Sequence, residues 1–226
     1  MEVLFATPTF DKHVSVDFLI GMTDTARLLT ARGIGIQMHV VAGNQFTDIA
    51  RNKCVHQFLH ATQCTDLFFI DSDEGWDAQT IPRVLAYEEE IVCGLPPKKC
   101  DPPDFHSNAM TGIIRNTLFQ SKEAGTGFMR IKRSVFHKLD DAYPLLREYD
   151  PENPQIPYFQ AGFRAGNGDF GINKRGFLGE DMFFSRLWAG IGEFFWIDSD
   201  ITFTHRGSKA WEGNFYDHCV ATGILN

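Results

Sequence analysis

Apolar positions along the chain fall into short continuous runs separated by stretches of helical period, which predicts strands alternating with helices through the first hundred residues. Val3 to Ala6 reads as a strand closed by Thr7-Pro8-Thr9. Ser15 caps a helix reaching about Arg32, with Val16, Leu19, Ile20, Thr23, Ala26 and Leu29 near helical spacing and Gly33 as its stop. Ile36 to Val41 is a second strand, Thr47 to Ala61 a helix after the Gly43-Asn44 turn, and Leu67 to Ile70 a third strand. Asp77 to Tyr87 is helical with Pro82 in its first turn, and Ile91 to Gly94 is the next strand. This alternation predicts an α/β fold with a Rossmann-like, mainly parallel sheet flanked by helices.

Beyond Gly94 the regularity stops. Pro96 to Pro103 reads as an irregular loop, Gly112 to Phe119 as strand, and Gly127 to Ile131 leads into a short helix from Ser134 to Leu139. Tyr143 to Gly176 carries four prolines and several glycines, the mark of a long loop or lid. Phe177 to Gly190 reads as helix, Phe194 to Ile197 and Ile201 to Thr204 as strands, and Arg206 to Asn226 as a tail. One domain spanning 1–226, with a smaller mixed C-terminal part, is the expected organisation.

Candidate chemistry concentrates where the run Phe68-Phe69-Ile70 ends in Asp71-Ser72-Asp73, with Glu74-Gly75-Trp76 behind it. A buried strand would deliver this acidic pair to the sheet's carboxyl edge, where open α/β folds bind ligands. Two carboxylates held together repel unless a cation lies between them, and carboxylate oxygens suit Mg²⁺ or Mn²⁺, so the pair predicts a metal-bridged diphosphate. The tripeptide recurs at Asp198-Ser199-Asp200, but between two short strands, where a turn explains it.

Gly179-Glu180-Asp181 opens an amphipathic helix, which reads either as capping or as a carboxylate poised to take a proton from a hydroxyl. His205, at a strand end before Arg206-Gly207, reads as a structural histidine or as a metal or phosphate ligand, with Arg206 adding positive charge where an anion would lie. His56 and His60 share the spacing of zinc-binding helices, but Gln57 stands where HExxH needs its glutamate. Gly166 to Gly171 matches GxGxxG without the strand and helix that a dinucleotide fingerprint needs.

A net charge of −8, with no long basic run, argues against nucleic acid or an anionic membrane as partner. The 5 cysteines are widely spaced and include no CxxC, which reads as reduced thiols in a cytoplasmic setting. No apolar stretch approaches a membrane span or a signal peptide.

In order, Ala6-Thr7-Pro8, Asp48 to Asn52, Phe69 to Asp73, Gly125 to Met129, Gly179-Glu180-Asp181 and His205-Arg206-Gly207 resemble the motifs of nucleotide-sugar-dependent glycosyltransferases of the GT-A fold. The resemblance covers nearly the whole chain and is closest to the small single-domain form of large viruses, phages and bacteria, which would place a virus-encoded copy in host cytoplasm. It implies a hexosyltransferase-like enzyme that moves a sugar from a nucleoside diphosphate, UDP favoured, to a hydroxyl of a glycan or glycoprotein, with inversion. Residues from 1 to about 100 would form the nucleotide-binding half, and those from about 101 to 226 the acceptor-binding half. Thr7, Pro8 and Arg51 would border the nucleoside, and Asp71, Ser72 and Asp73 the ribose, metal and diphosphate. Gly125, Gly127, Phe128 and Glu180 would shape the sugar pocket. Asp73, Asp71 and His205 would hold Mn²⁺ or Mg²⁺, and Asp181, beside Glu180, would be the catalytic base.

The strand-DxD arrangement also resembles haloacid-dehalogenase phosphatases, in which Asp71 would be the nucleophile. That family carries its DxD on the first strand, followed by Thr or Val; here it lies on the third, followed by Glu74-Gly75. A non-catalytic nucleotide-sugar-binding module is the remaining reading, and the joint presence of Asp71, Asp73, Asp181 and His205 speaks against a decayed site.

Overall fold

The computed structural model describes residues 1–106, 110–148, 155–164 and 176–224. Its elements in the first half are β1 (Glu2–Thr9), α1 (Val16–Ala31), β2 (Gly35–Ala42), α2 (Thr47–Ala61), β3 (Asp66–Ile70), β4 (Glu74–Trp76), α3 (Thr80–Ala86) and β5 (Ile91–Cys93). There follow β6 (Met110–Arg115), β7 (Leu118–Ser121), β8 (Phe128–Lys132), α4 (Arg133–Ala142), β9 (Gly162–Arg164), β10 (Gly176–Leu178), α5 (Glu180–Gly190), β11 (Phe195–Asp198), β12 (Thr202–Arg206), β13 (Ala210–Asn214) and α6 (Phe215–Ala221).

Among the described residues the main sheet has the order β2-β1-β3-β8-β5-β11-β7-β6. β1 is parallel to β2 and β3, and β5 to β11, while β8 runs antiparallel between β3 and β5, and β7 antiparallel between β11 and β6. The fold is therefore α/β with a large mixed sheet: β8 and β7 run against the other strands, so the expected parallel alignment holds in strand direction but not in every pairing. The cause lies between β5 and β8: the chain makes the β6–β7 hairpin there instead of a helical crossover, so β8 enters the sheet from the opposite end.

Alternate residues of the central strands feed two cores, giving a helix–sheet–helix arrangement consistent with a Rossmann-like fold. Leu67 and Phe69 of β3 pack with Val55 and Phe58 of α2, Phe136 of α4 and Phe184 and Leu187 of α5. Phe68 and Ile70 face Phe18 and Met22 of α1, Ile81 and Val84 of α3, and Phe203. All of β3 is buried, as its unbroken apolar run requires. Helix α1 begins at Ser15, whose Oγ accepts the Phe18 N–H at 3.0 Å. Its buried face is Phe18, Gly21, Met22, Thr25 and Leu29, whereas Val16, Leu19, Ile20 and Thr23 are exposed, so the expected stripe is rotated around the helix. Trp76 decides this, because its ring packs edge-on to Phe18 and close against Gly21.

Three further expectations change. Phe177 and Leu178 form β10 with β9, so α5 begins only at Glu180. The expected tail instead holds β13 and α6, and β13 joins β12 and β4 in a small sheet. Within the expected lid, Tyr158 and Phe159 are buried in the core, with Asn52 bonded both ways to the Phe159 backbone. The GxGxxG match at 166–171 lies outside the described residues.

The second DSD closes β11 as a structural turn. Asp198 is buried, bonds Arg83 Nε at 3.0 Å and accepts the Asp200 N–H at 3.1 Å, while Asp200 holds Arg83 Nη1 at 2.8 Å. Asp198→Ala should therefore cost about 2 kcal/mol of stability through the unpaired Arg83 Nε and the lost turn bond. Asp200→Ala, at an exposed site, should cost less than about 1 kcal/mol, and urea unfolding of the two variants compares them.

Candidate metal centre at the sheet edge

The acidic turn after β3 is clamped by backbone bonds from three directions. The Asp71 N–H donates to the Gly127 carbonyl at 2.8 Å, Ser15 N–H to the Ser72 carbonyl at 2.8 Å, and Arg206 N–H to the Asp73 carbonyl at 2.8 Å. Elements from the loop before β8, the cap of α1 and the end of β12 thus fix three successive residues. Gly127 is needed for closeness: a Cβ there would lie 3.3 Å from Asp71 Oδ2 and 3.6 Å from Glu74 Oε1.

Each carboxylate of the turn meets a different environment. Asp71 accepts from Arg51 Nη2 at 3.0 Å, and Arg51 Nε reaches Glu180 Oε1 at 3.4 Å, so one buried guanidinium bridges β3 to α5. Burial opposes the charge on Arg51, but Asp71 and Glu180 outweigh it and hold its pKa above the ordinary value. Asp73 meets Lys99 Nζ at 2.5 Å and faces His205 Nε2 at 3.7 Å. Burial pushes its carboxyl up, but hydrogen bonding and charge from His205 and Lys99 prevail and bring its pKa to about 2. Glu74 is 2% exposed, and burial together with repulsion from Asp71 and Asp73 raises its pKa well above the ordinary range.

Asp73, Glu74 and His205 offer ligand atoms that all lie within 4.8 Å of one another, and they are the group among the described residues able to hold a metal ion. Two observations fit a cation there. Glu74 Oε2 is buried with no hydrogen-bond partner, and the His205 ring is oriented from behind, its Nδ1 lying 2.7 Å from the Pro97 carbonyl. A carbonyl only accepts, so Nδ1 carries the proton and Nε2 is presented to the two carboxylates. A donor set of two carboxylates and one imidazole suits Mn²⁺ or Mg²⁺.

Beside this group a pocket of about 350 Å³ is lined by Gly94, Leu95, Ala124, Gly125, Gly127 and Asp181, among others. Asp181 stands in the first turn of α5, where acidic side chains are favoured. Its Oδ1 accepts the Met182 N–H at 2.7 Å, while Oδ2 lies 4.0 Å from the position a Gly125 Cβ would take. Glu180, its neighbour, turns instead to Arg51.

The other predicted residues gather less completely. Thr7 and Pro8 lie near the end of β1, just past its pairing with β3, with Thr7 buried and Pro8 partly exposed. Phe128 is fully buried against Phe68, Trp76 and Phe203, so its ring supports the site from the core and does not face the pocket. Arg206 is bonded to Asp17 at 2.7 Å, which corrects the expectation that its charge faces an anion. Two residues escaped the sequence reading. Glu74 adjoins the DSD and is set by the β4–β12 pairing that puts it opposite His205. Lys99 comes from the irregular loop, and no local pattern pointed to it.

No protein-family model matches the chain, and no curated protein does. Among solved structures, A197 from STIV matches with a TM-score of 0.56 and 18% identity over 92% of this chain and 86% of that one. A glycosyltransferase involved in the glycosylation of the major capsid of PBCV-1 matches with a TM-score of 0.34 and 10% identity over 66% of this chain and 68% of that one. The first likeness shows a shared fold and nothing of function, and the second is too loose to carry an argument.

Proposed function

We propose that the chain is a GT-A-type, metal-dependent glycosyltransferase that moves a sugar from a nucleoside diphosphate sugar, UDP favoured, to a hydroxyl of a glycan or glycoprotein, with inversion. The observation that carries this reading is the convergence of the Asp73–Glu74–His205 group, the Arg51-held Asp71 and the pocket-facing Asp181 at one edge of the sheet.

Asp73, Glu74 and His205 would hold Mn²⁺ or Mg²⁺, which supplies positive charge against the diphosphate leaving group. Arg51, buried beneath Asp71 and Glu180, fixes both carboxylates, leaving Asp71 and Pro8 to border the nucleoside and Glu180 to set the start of α5. The pocket beside Gly125 and Gly127, at about 350 Å³, has the volume to take a sugar ring. Asp181 would take the proton of the acceptor hydroxyl, because its Oδ2 is the carboxylate oxygen of the Glu180–Asp181 pair that looks into this space. The phosphatase reading is weaker: both Asp71 oxygens accept from Arg51 Nη2, at 3.0 and 3.4 Å, which draws electron density from a would-be nucleophile.

UDP should bind much more tightly with Mn²⁺ than with chelator, by calorimetry. Asp73→Ala should abolish that difference and Asp200→Ala should leave it; equal affinity with and without metal in the wild type would overturn the metal-bridged donor. In the transfer reaction Asp181→Asn should lower kcat by a factor of about 10² to 10⁴ with UDP affinity nearly unchanged. Glu180→Gln, which loosens the Arg51 tie at the start of α5, should lower kcat by a smaller factor than Asp181→Asn in the same assay.

Glu74 adds a pH signature. Because its carboxyl is raised in the folded chain, the folded state keeps a proton that the unfolded chain releases above the ordinary glutamate range. Its contribution to stability is therefore full below that range and is lost as pH rises through the folded value. In chelator, Glu74→Gln should melt above wild type at about pH 8, with the gap closing toward about pH 4. With Mn²⁺ the wild type should rise in Tm, and the same variant should lose that rise.

A further inference from the structure

Lys99 lies on the loop between β5 and β6, and its Nζ is 2.5 Å from Asp73 Oδ2, the oxygen that also faces His205 Nε2. A divalent ion ligated by Asp73, Glu74 and His205 would need an Asp73 oxygen at roughly 2.0–2.2 Å, which places it and the ammonium within a few ångströms of each other. Like charges at that distance, in a half-buried site, repel strongly. One must give way unless an anion enters between them.

Among the described residues, the arginines of this edge are already committed. Arg51 is buried and holds Asp71 and Glu180, and Arg206 holds Asp17. Lys99 is held by the very carboxylate that a metal would take over. Its loop is pinned independently of that pair: the Pro97 carbonyl bonds His205, Lys98 pairs with Asp104 at 2.5 Å, and Lys209 pairs with Asp101. The Lys99 side chain is 35% exposed, and its flexible four-carbon stem gives the ammonium a few ångströms of reach.

We infer that Lys99 is a built-in counter-cation of the metal centre, displaced from Asp73 when a divalent ion binds and passed to the diphosphate when the nucleotide binds. The inference rests on the metal-dependent donor site proposed above and adds its regulation. Metal alone binds against the Lys99–Asp73 pair. The diphosphate gives the displaced ammonium a new partner, so metal and nucleotide favour each other's binding beyond any direct bond between them.

Calorimetric titration of Mn²⁺, alone and with saturating UDP, into wild type, Lys99→Gln, Lys99→Arg and Lys209→Ala tests this. Lys99→Gln keeps a polar side chain of similar reach without the charge. It should bind Mn²⁺ alone on the order of tenfold more tightly than wild type and lose most of the mutual enhancement between Mn²⁺ and UDP. Lys99→Arg keeps the charge and should follow wild type, as should Lys209→Ala, which only loosens the loop. A Lys99→Gln protein with wild-type Mn²⁺ affinity and enhancement would overturn the inference while leaving the metal site standing. Lys209→Ala behaving like Lys99→Gln would overturn it too, by assigning the effect to loop anchoring. Absence of Mn²⁺ binding in every protein, with and without UDP, would overturn the metal site and this inference together.

Discussion

Crowding of negative charge at the end of β3 is the constraint around which this edge of the molecule is built. Asp71, Asp73 and Glu74 lie within four consecutive residues, and each is accommodated differently. Asp71 is matched by a buried guanidinium, Asp73 by a half-exposed ammonium, and Glu74 by a strong bias toward its protonated form. Without such compensation three carboxylates packed against an aromatic core would repel one another in a medium that screens them poorly. Arg51 matters most in this scheme, because the guanidinium that neutralises Asp71 also fixes Glu180 and so ties the start of α5 to the end of β3.

Placement depends as much on backbone as on charge. The β3–β8 pairing brings Gly127 beside Asp71, and β12 pairs with β4 so that His205 stands opposite Glu74. Close approach is possible because glycines occupy the contact points: a Cβ at Gly94 would run into Phe203, and one at Gly127 would crowd the two carboxylates. Beneath them, Phe68, Trp76, Phe128 and Phe203 form edge-to-face contacts that stiffen the floor of the site. The polar groups are thus held by a rigid apolar base, which limits how far they can relax away from each other.

Local pattern made much of the architecture legible: the first three strands, the helices between them and the acidic turn all follow from apolar runs, Ser15 as a cap and glycine stops. The relation of β8 to its neighbours did not, because antiparallel insertion depends on the hairpin that precedes it, and a strand's own residues carry no record of its direction. The α1 stripe was misplaced for a similar reason. Val16, Leu19 and Ile20 are apolar at helical spacing, yet the face that is buried is the one meeting Trp76 from a strand more than 50 residues on, and periodicity alone does not choose between two apolar faces.

At the site, the sequence by itself determined that acidic residues would gather where β3 ends, since an apolar run that stops in Asp-Ser-Asp can only place those carboxylates at the edge of the sheet. It also separated the two DSD copies by context, because one ends a strand amid alternating strands and helices and the other lies between two short strands. Tertiary structure alone decided the partners. Arg51 binding Asp71 and Glu180, Glu74 meeting His205, and Lys99 resting on Asp73 all join residues distant in the chain. Such pairings depend on distances of a few ångströms that folding sets, and electrostatic interaction changes too steeply with distance and burial to be read from residue type alone.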